Sequence, residues 1–248
     1  MVGVRSVRTV QPGVYLAPRG VFNAASLAPQ LPRIAPGSMV SLFGSNLSAS
    51  QTAASTTPIP AELGGVRVLL NGAAAPLLFA SSQQVNFLVP WELAPGAVSI
   101  QVDNNGSLSN PARATVGSTS PAVFSMAGPG SPILAFHADS TLVSRLNPAR
   151  PGETLVAYAN GLGPVAPEVR SGDTTPLTGL SRVVGNLEIL IDGRPARVDF
   201  AGLAPGMVDV YQLNFVIPED ITGYREVTLA IGTSDAFSDL AEIAVAPR

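Results

Sequence analysis

The chain has 248 residues, room for two domains of about 100–150 residues each, and its 46% hydrophobic content is enough for two cores. Charged residues make up only 12%, about half the roughly 25% of a typical soluble protein, so Ser, Thr, Asn, Gln and small apolar groups must cover a surface that repels its own copies weakly. A net charge of −3 without a run of like charge excludes a basic footprint for nucleic acid, and no apolar run approaches the ~18 residues of a membrane-spanning helix.

The opening segment, MVGVRSVRTV, carries positive charge but no apolar core of a secretion signal. Val2, Val4, Val7 and Val10 give it β propensity, so residues 1–11 are expected to form a strand arm. Residues 64–71 then alternate, with Val66, Val68 and Leu70 on one face. Asn71-Gly72 supplies a type I′ hairpin turn, and the return strand is expected to end near Phe79. The next strand turns Val85, Phe87 and Val89 inward and stops at Pro90, since proline cannot donate to a ladder. Val98, Ile100 and Val102 form a further face, and a last strand follows near 108–116.

The same order then returns. Gln84-Val85-Asn86-Phe87-Leu88-Val89-Pro90 recurs as Gln212-Leu213-Asn214-Phe215-Val216-Ile217-Pro218. Pro36-Gly37 corresponds to Pro151-Gly152, Ser45-Asn46-Leu47 to Asn160-Gly161-Leu162, and Asn71-Gly72 to Asp192-Gly193. Leu187, Ile189 and Ile191 repeat the first alternating face, Val198 and Phe200 the return, and Val227, Leu229 and Ile231 the later one; a last strand falls near 238–245. The match extends upstream, with Phe22-Asn23-Ala24-Ala25-Ser26 beside Phe136-His137-Ala138-Asp139-Ser140, so 118–149 opens the second copy. A repeat of this length means two copies of one domain. About seven strands per copy, with 24 Gly and 23 Pro spread through the turns, predict an all-β fold of two tandem immunoglobulin-like β-sandwiches over 12–117 and 118–248. Arg8-Thr9-Val10 aligns with Ala114-Thr115-Val116, so the arm reads as the last strand of a domain whose body is absent.

The stretches APGSMVSLFGSNLS and LGGVRVLLNGAAAPLLFASSQQVNFLVP resemble the IPT/TIG type of immunoglobulin-like domain. More closely, VFNAAS, IAPGSMVSLFGSNL, NPARPGETLVAYANGLGPV and FAGLAPGMVDVYQLNFVIP resemble a C-terminal module of secreted Acidobacteria proteins first noted in Solibacter, over roughly residues 20–248. That resemblance implies architecture and export, and supplies no catalytic residue. The family module usually closes a much larger protein, whereas this chain is almost only module.

Few residues point to chemistry. The absence of Cys excludes disulfides and thiolate sites; all fourteen basic residues are Arg, which excludes Schiff-base chemistry and a Lys–Asn isopeptide bond. His137, the only histidine, has Asp139 two residues on, but no G-x-S-x-G elbow accompanies them. A strand or turn histidine is the favoured reading over a Ser-His-Asp set. Asp103-Asn104-Asn105-Gly106 is rich in oxygen yet lacks the calcium-loop register, so a hairpin turn is favoured. Glu168 and Asp173 could form a carboxylate pair, against which stands a solvated loop. Gln84, Gln212, Asn86 and Asn214 recur in both copies, either as a ligand face or, the favoured reading, as amides fastening neighbouring loops. Trp91 could stack on a sugar; packing at a domain junction is favoured, because Glu219 holds its matched position.

No catalytic, cofactor or metal residue is therefore assigned. The first expectation is a non-catalytic extracellular structural subunit that assembles with copies of itself through Val2, Val4, Val7 and Val10 by strand addition. The alternative is a module from a larger secreted bacterial protein that binds carbohydrate, cell wall or cell-surface polysaccharide.

Overall fold

The computed structural model describes residues 13–28, 33–128, 130–221 and 225–246. The arm residues Val2, Val4, Val7 and Val10 lie outside this set. No helix occurs among the described residues, and so none is long and apolar enough to cross a membrane.

The first half contains β1 (Tyr15–Asn23), β2 (Arg33–Ile34), β3 (Met39–Ser45), β4 (Thr52–Ala53), β5 (Val66–Leu70), β6 (Ala73–Ala75), β7 (Leu77–Ala80), β8 (Gln84–Leu88), β9 (Gly96–Asn104), β10 (Ser107–Leu108) and β11 (Ala112–Val116). The second half contains β12 (Ala122–Val123), β13 (Ala135–Phe136), β14 (Thr154–Asn160), β15 (Val165–Ala166), β16 (Arg182–Val183), β17 (Leu187–Ile191), β18 (Arg194–Ala196), β19 (Val198–Leu203), β20 (Tyr211–Val216), β21 (Arg225–Thr233) and β22 (Ala241–Val245).

Each half is a two-sheet sandwich. In the first, the order β1-β3-β8-β7-β4 faces β2-β11-β9-β5-β6. In chain order β1, β3, β5, β7, β8, β9 and β11 take the places A to G, with A-B-E-D in one sheet and C-F-G in the other; this is the immunoglobulin arrangement. The second half repeats it, with β12-β14-β20-β19 against β17-β21-β22. Inward residues of both sheets make each core. Val66, Val68, Val85, Phe87, Ile100 and Val102 are fully buried in the first; Ile189, Ile191, Phe215 and Ile231 are so in the second.

The hairpins turn as their sequences require. Asn71 and Gly72 have φ of 50° and 90°, and Asp192 and Gly193 have 52° and 75°. The return from the first hairpin differs from the expectation of a single strand running to Phe79. It breaks at Pro76: β6 stays with β5, and β7 crosses to β8 in the other sheet. Pro76 has no N–H for the ladder, which frees the chain to change sheets there. The second copy makes the same change between β18 and β19 at Arg197, and both copies carry a register shift just beyond it, at Leu77/Phe79 and Val198/Phe200.

Candidate functional site

Two places gather polar or aromatic side chains into organised arrangements: the junction of the sandwiches, and an open cleft at the other end of β14.

At the junction Trp91 follows Pro90 at the end of β8 and packs against the second sandwich's core. Its ring lies on Gly37, where a Cβ would come within 2.1 Å of the indole, so only glycine leaves room for it. The indole Nε1 donates to Asp209 Oδ1 at 3.1 Å, and the Trp91 backbone N–H donates to Ser171 Oγ at 2.8 Å. Ile59 N–H donates to the Gly172 carbonyl at 2.9 Å, a main-chain bond across the two halves.

Asn160, at the end of β14 and fully buried, makes a second fastening. Its Oδ1 accepts from Met39 N–H at 2.8 Å, and its Nδ2 donates to the Met39 carbonyl and to Asn23 Oδ1, both at 2.8 Å. One carboxamide thus pairs with both main-chain groups of Met39, as a ladder neighbour would. Asn23 Nδ2 in turn donates to the Ser120 carbonyl at 2.8 Å.

A third fastening is ionic. Arg33 pairs with Asp235, and its Nε donates to the Thr119 carbonyl at 2.8 Å. Asp235 also accepts from Thr119 Oγ1 at 2.5 Å and from Ser118 N–H at 3.1 Å. Burial pushes the Asp235 carboxyl up, but the Thr119 hydroxyl, the Arg33 charge and the Ser118 N–H outweigh it and hold the group below the usual carboxylate value.

The cleft is open, about 930 Å³, and lined by His137, Asp139, Thr141, Asn147, Arg150 and Glu153 among others. Its polar groups are largely occupied with one another. His137 Nδ1 lies 2.5 Å from Glu153 Oε1, and its Nε2 lies 3.2 Å from the Asn147 carbonyl. Glu153 Oε2 accepts from Arg150 N–H at 2.8 Å, and Asp139 Oδ1 accepts from the Thr141 N–H and hydroxyl. Burial lowers the His137 pKa, but the bond to Glu153, the Asn147 carbonyl and the Glu153 and Asp139 charges raise it overall.

By the repeat, this cleft occupies the position in the second sandwich that the surface carrying Trp91 and receiving Asn160 occupies in the first. Ala25 and Ala35 are buried, two residues along the chain from Asn23 and Arg33 of the junction; their matched positions, Asp139 and Arg150, are exposed. Gly37 is buried under Trp91, whereas its match, Gly152, is exposed, with only Glu219 nearby at 3.7 Å from a built Cβ.

The remaining candidates resolve locally. Gln84 Nε2 donates to Asn86 Oδ1 at 2.9 Å, and Gln212 Nε2 donates to Asn214 Oδ1 at 2.8 Å, so each pair of amides bonds within its own strand where a bond to a neighbouring loop was expected. Asp103 pairs with Arg67 and its Oδ1 accepts from Gly106 N–H at 2.8 Å, closing a hairpin in which Asn105 and Gly106 have positive φ. Glu168 is exposed and Asp173 is half-buried in the loop beside Gly172. Among the described residues no group of three or more His, Asp or Glu could hold a metal ion. Sequence reasoning missed Asn160, Asp209, Arg33 and Asp235. A signal was present: Ser45 matches Asn160 and Ser81 matches Asp209, so these positions break the repeat, as Trp91 and Glu219 do.

No protein-family model and no curated protein matches the chain. Among solved structures, it is similar to the SGBP-B protein of the Bacteroides ovatus mixed-linkage glucan utilization locus, in complex with a mixed-linkage heptasaccharide: 13% identity and a TM-score of 0.37 over 90% of this chain. The match spans 45% of that protein. The Escherichia coli adhesin FdeC is similar at 13% identity and a TM-score of 0.26, over 95% of this chain and 66% of that one. Domains 5–6 of the S-layer protein SbsC are similar at 10% identity and a TM-score of 0.26, over 94% of this chain and 99% of that one.

Proposed function

We propose that the chain is an exported, non-catalytic structural subunit of an extracellular fibre or surface layer, in which Val2, Val4, Val7 and Val10 of the arm pair with another copy. The observation that carries this reading is the junction. Three separate fastenings, aromatic, amide and ionic, tie the sandwiches to each other, which suits a part that bears and transmits load. The sparse charge of the surface supports association between copies. Membership of the exported module family that the sequence resembles belongs to this proposal.

The test is sedimentation velocity at rising concentration with negative-stain microscopy, on the full chain and on a chain lacking residues 1–11. The full chain should form oligomers or fibres, and the deletion should leave folded monomers. Assembly that survives the deletion refutes the arm's role, and a full chain that stays monomeric at every concentration refutes the structural reading. The open polar cleft at His137 favours the second reading, a module binding carbohydrate or cell wall. In that case, soluble cell-surface polysaccharide should retard the native chain in affinity electrophoresis, and Asn147→Arg at the cleft should abolish the retardation.

A further inference from the structure

Asp209 is the one junction residue whose surroundings do not suit its charge. It is 1% exposed and sits at a φ of 50°, between β19 and β20. Oδ1 accepts from the Trp91 indole and the Gly172 N–H also bears on the carboxylate, but Oδ2 is buried without a hydrogen bond of normal geometry among the described residues. The charges that act on it are those of Glu92 from the first sandwich and Asp173 from the loop beside Gly172, both anionic; Tyr211 on β20 is neutral, with its hydroxyl donating to the Gly163 carbonyl. An ionised carboxylate there is desolvated, half-satisfied and repelled from both sides of the joint.

We propose that the Trp91 seat at the junction is a proton-operated latch: a protonated Asp209 lets Trp91 close onto its seat, and an ionised Asp209 loosens that seat while the Asn160 and Arg33–Asp235 fastenings keep the sandwiches joined. Burial is the main reason that the Asp209 carboxyl is pushed up to about 7; the Trp91 and Gly172 N–H groups work against this, and the Glu92 and Asp173 charges add to it. The closed joint therefore binds the proton more tightly than an open one, where the group returns toward its ordinary 3.8. Closure is favoured most below about pH 4 and weakens by roughly tenfold per pH unit up to about 7, beyond which it changes no further. The neutral acid loses its charge and still has an oxygen for the indole. The inference holds whichever role the tandem plays.

Trp91 is the only tryptophan, so its emission reports this joint alone. The experiment is a fluorescence titration of the full chain from about pH 4 to about pH 9. The emission should shift to the red with a midpoint no higher than about 7. Asp209→Asn should abolish the shift and keep the acid-state emission. Glu92→Gln, at an exposed position, should move the midpoint to lower pH and serves if Asp209→Asn fails to fold. His137→Gln, at the far end of β14, should leave the midpoint in place. A flat titration, a transition retained in Asp209→Asn, or a midpoint unmoved in Glu92→Gln overturns the latch.

Discussion

Phe87 and Phe215 are fully buried at matched positions of β8 and β20, each surrounded by the inward residues of both sheets. Truncating either to Ala removes a large ring from a close-packed layer. It should cost ~3–5 kcal/mol, read as a lower denaturation midpoint at unchanged slope. His137 acts through its charge. Its folded pKa is raised above the ordinary 6.5, so the Glu153 contact stabilises the fold fully below that value and the contribution is lost as pH rises through the folded one. Thermal melts in alkaline buffer should therefore show a fall in the native chain that is smaller in His137→Gln.

Among the elements, the turn before β3 and its copy before β14 offer an internal control. Gly37 and Gly152 both have positive φ, of 69° and 82°, so alanine at either strains the backbone by about 1–2 kcal/mol. At Gly152 nothing more is lost. At Gly37 the added methyl collides with Trp91 and must displace it from the joint. Gly37→Ala should therefore be clearly the more destabilising of the two, and it alone should shift tryptophan emission to the red. Equal losses of stability with unshifted emission would place Trp91 elsewhere. This contrast also marks what the sequence could say. The inward faces, the positive-φ turns at Asn71-Gly72 and Asp192-Gly193, and the stop at Pro90 were all legible, because each is set by neighbours in the chain. The change of sheet at Pro76 was not, since alternation fixes which side a residue faces and not which sheet carries it. Asp209 and Asn160 were not legible either, because their partners lie 118 and 121 residues away and no local pattern encodes such a meeting. In a duplicated chain, positions that agree report the fold, and those that disagree, such as Trp91 and Glu219, report where the copies touch.

At the scale of the whole molecule, the two sandwiches are alike in fold and unlike in their ends. The end of the first is shaped by Ala25, Ala35, Gly37 and Trp91 to receive a neighbour, and it holds one. At the matched end of the second stand Asp139, Arg150, Glu153 and Glu219. A third sandwich seated by the same contacts would have to bury those four ionisable groups, and taking a charge out of water costs several kcal/mol even where it keeps a partner. The tandem therefore counts: by this joint it makes pairs and not chains, and growth into anything longer has to run through a different surface.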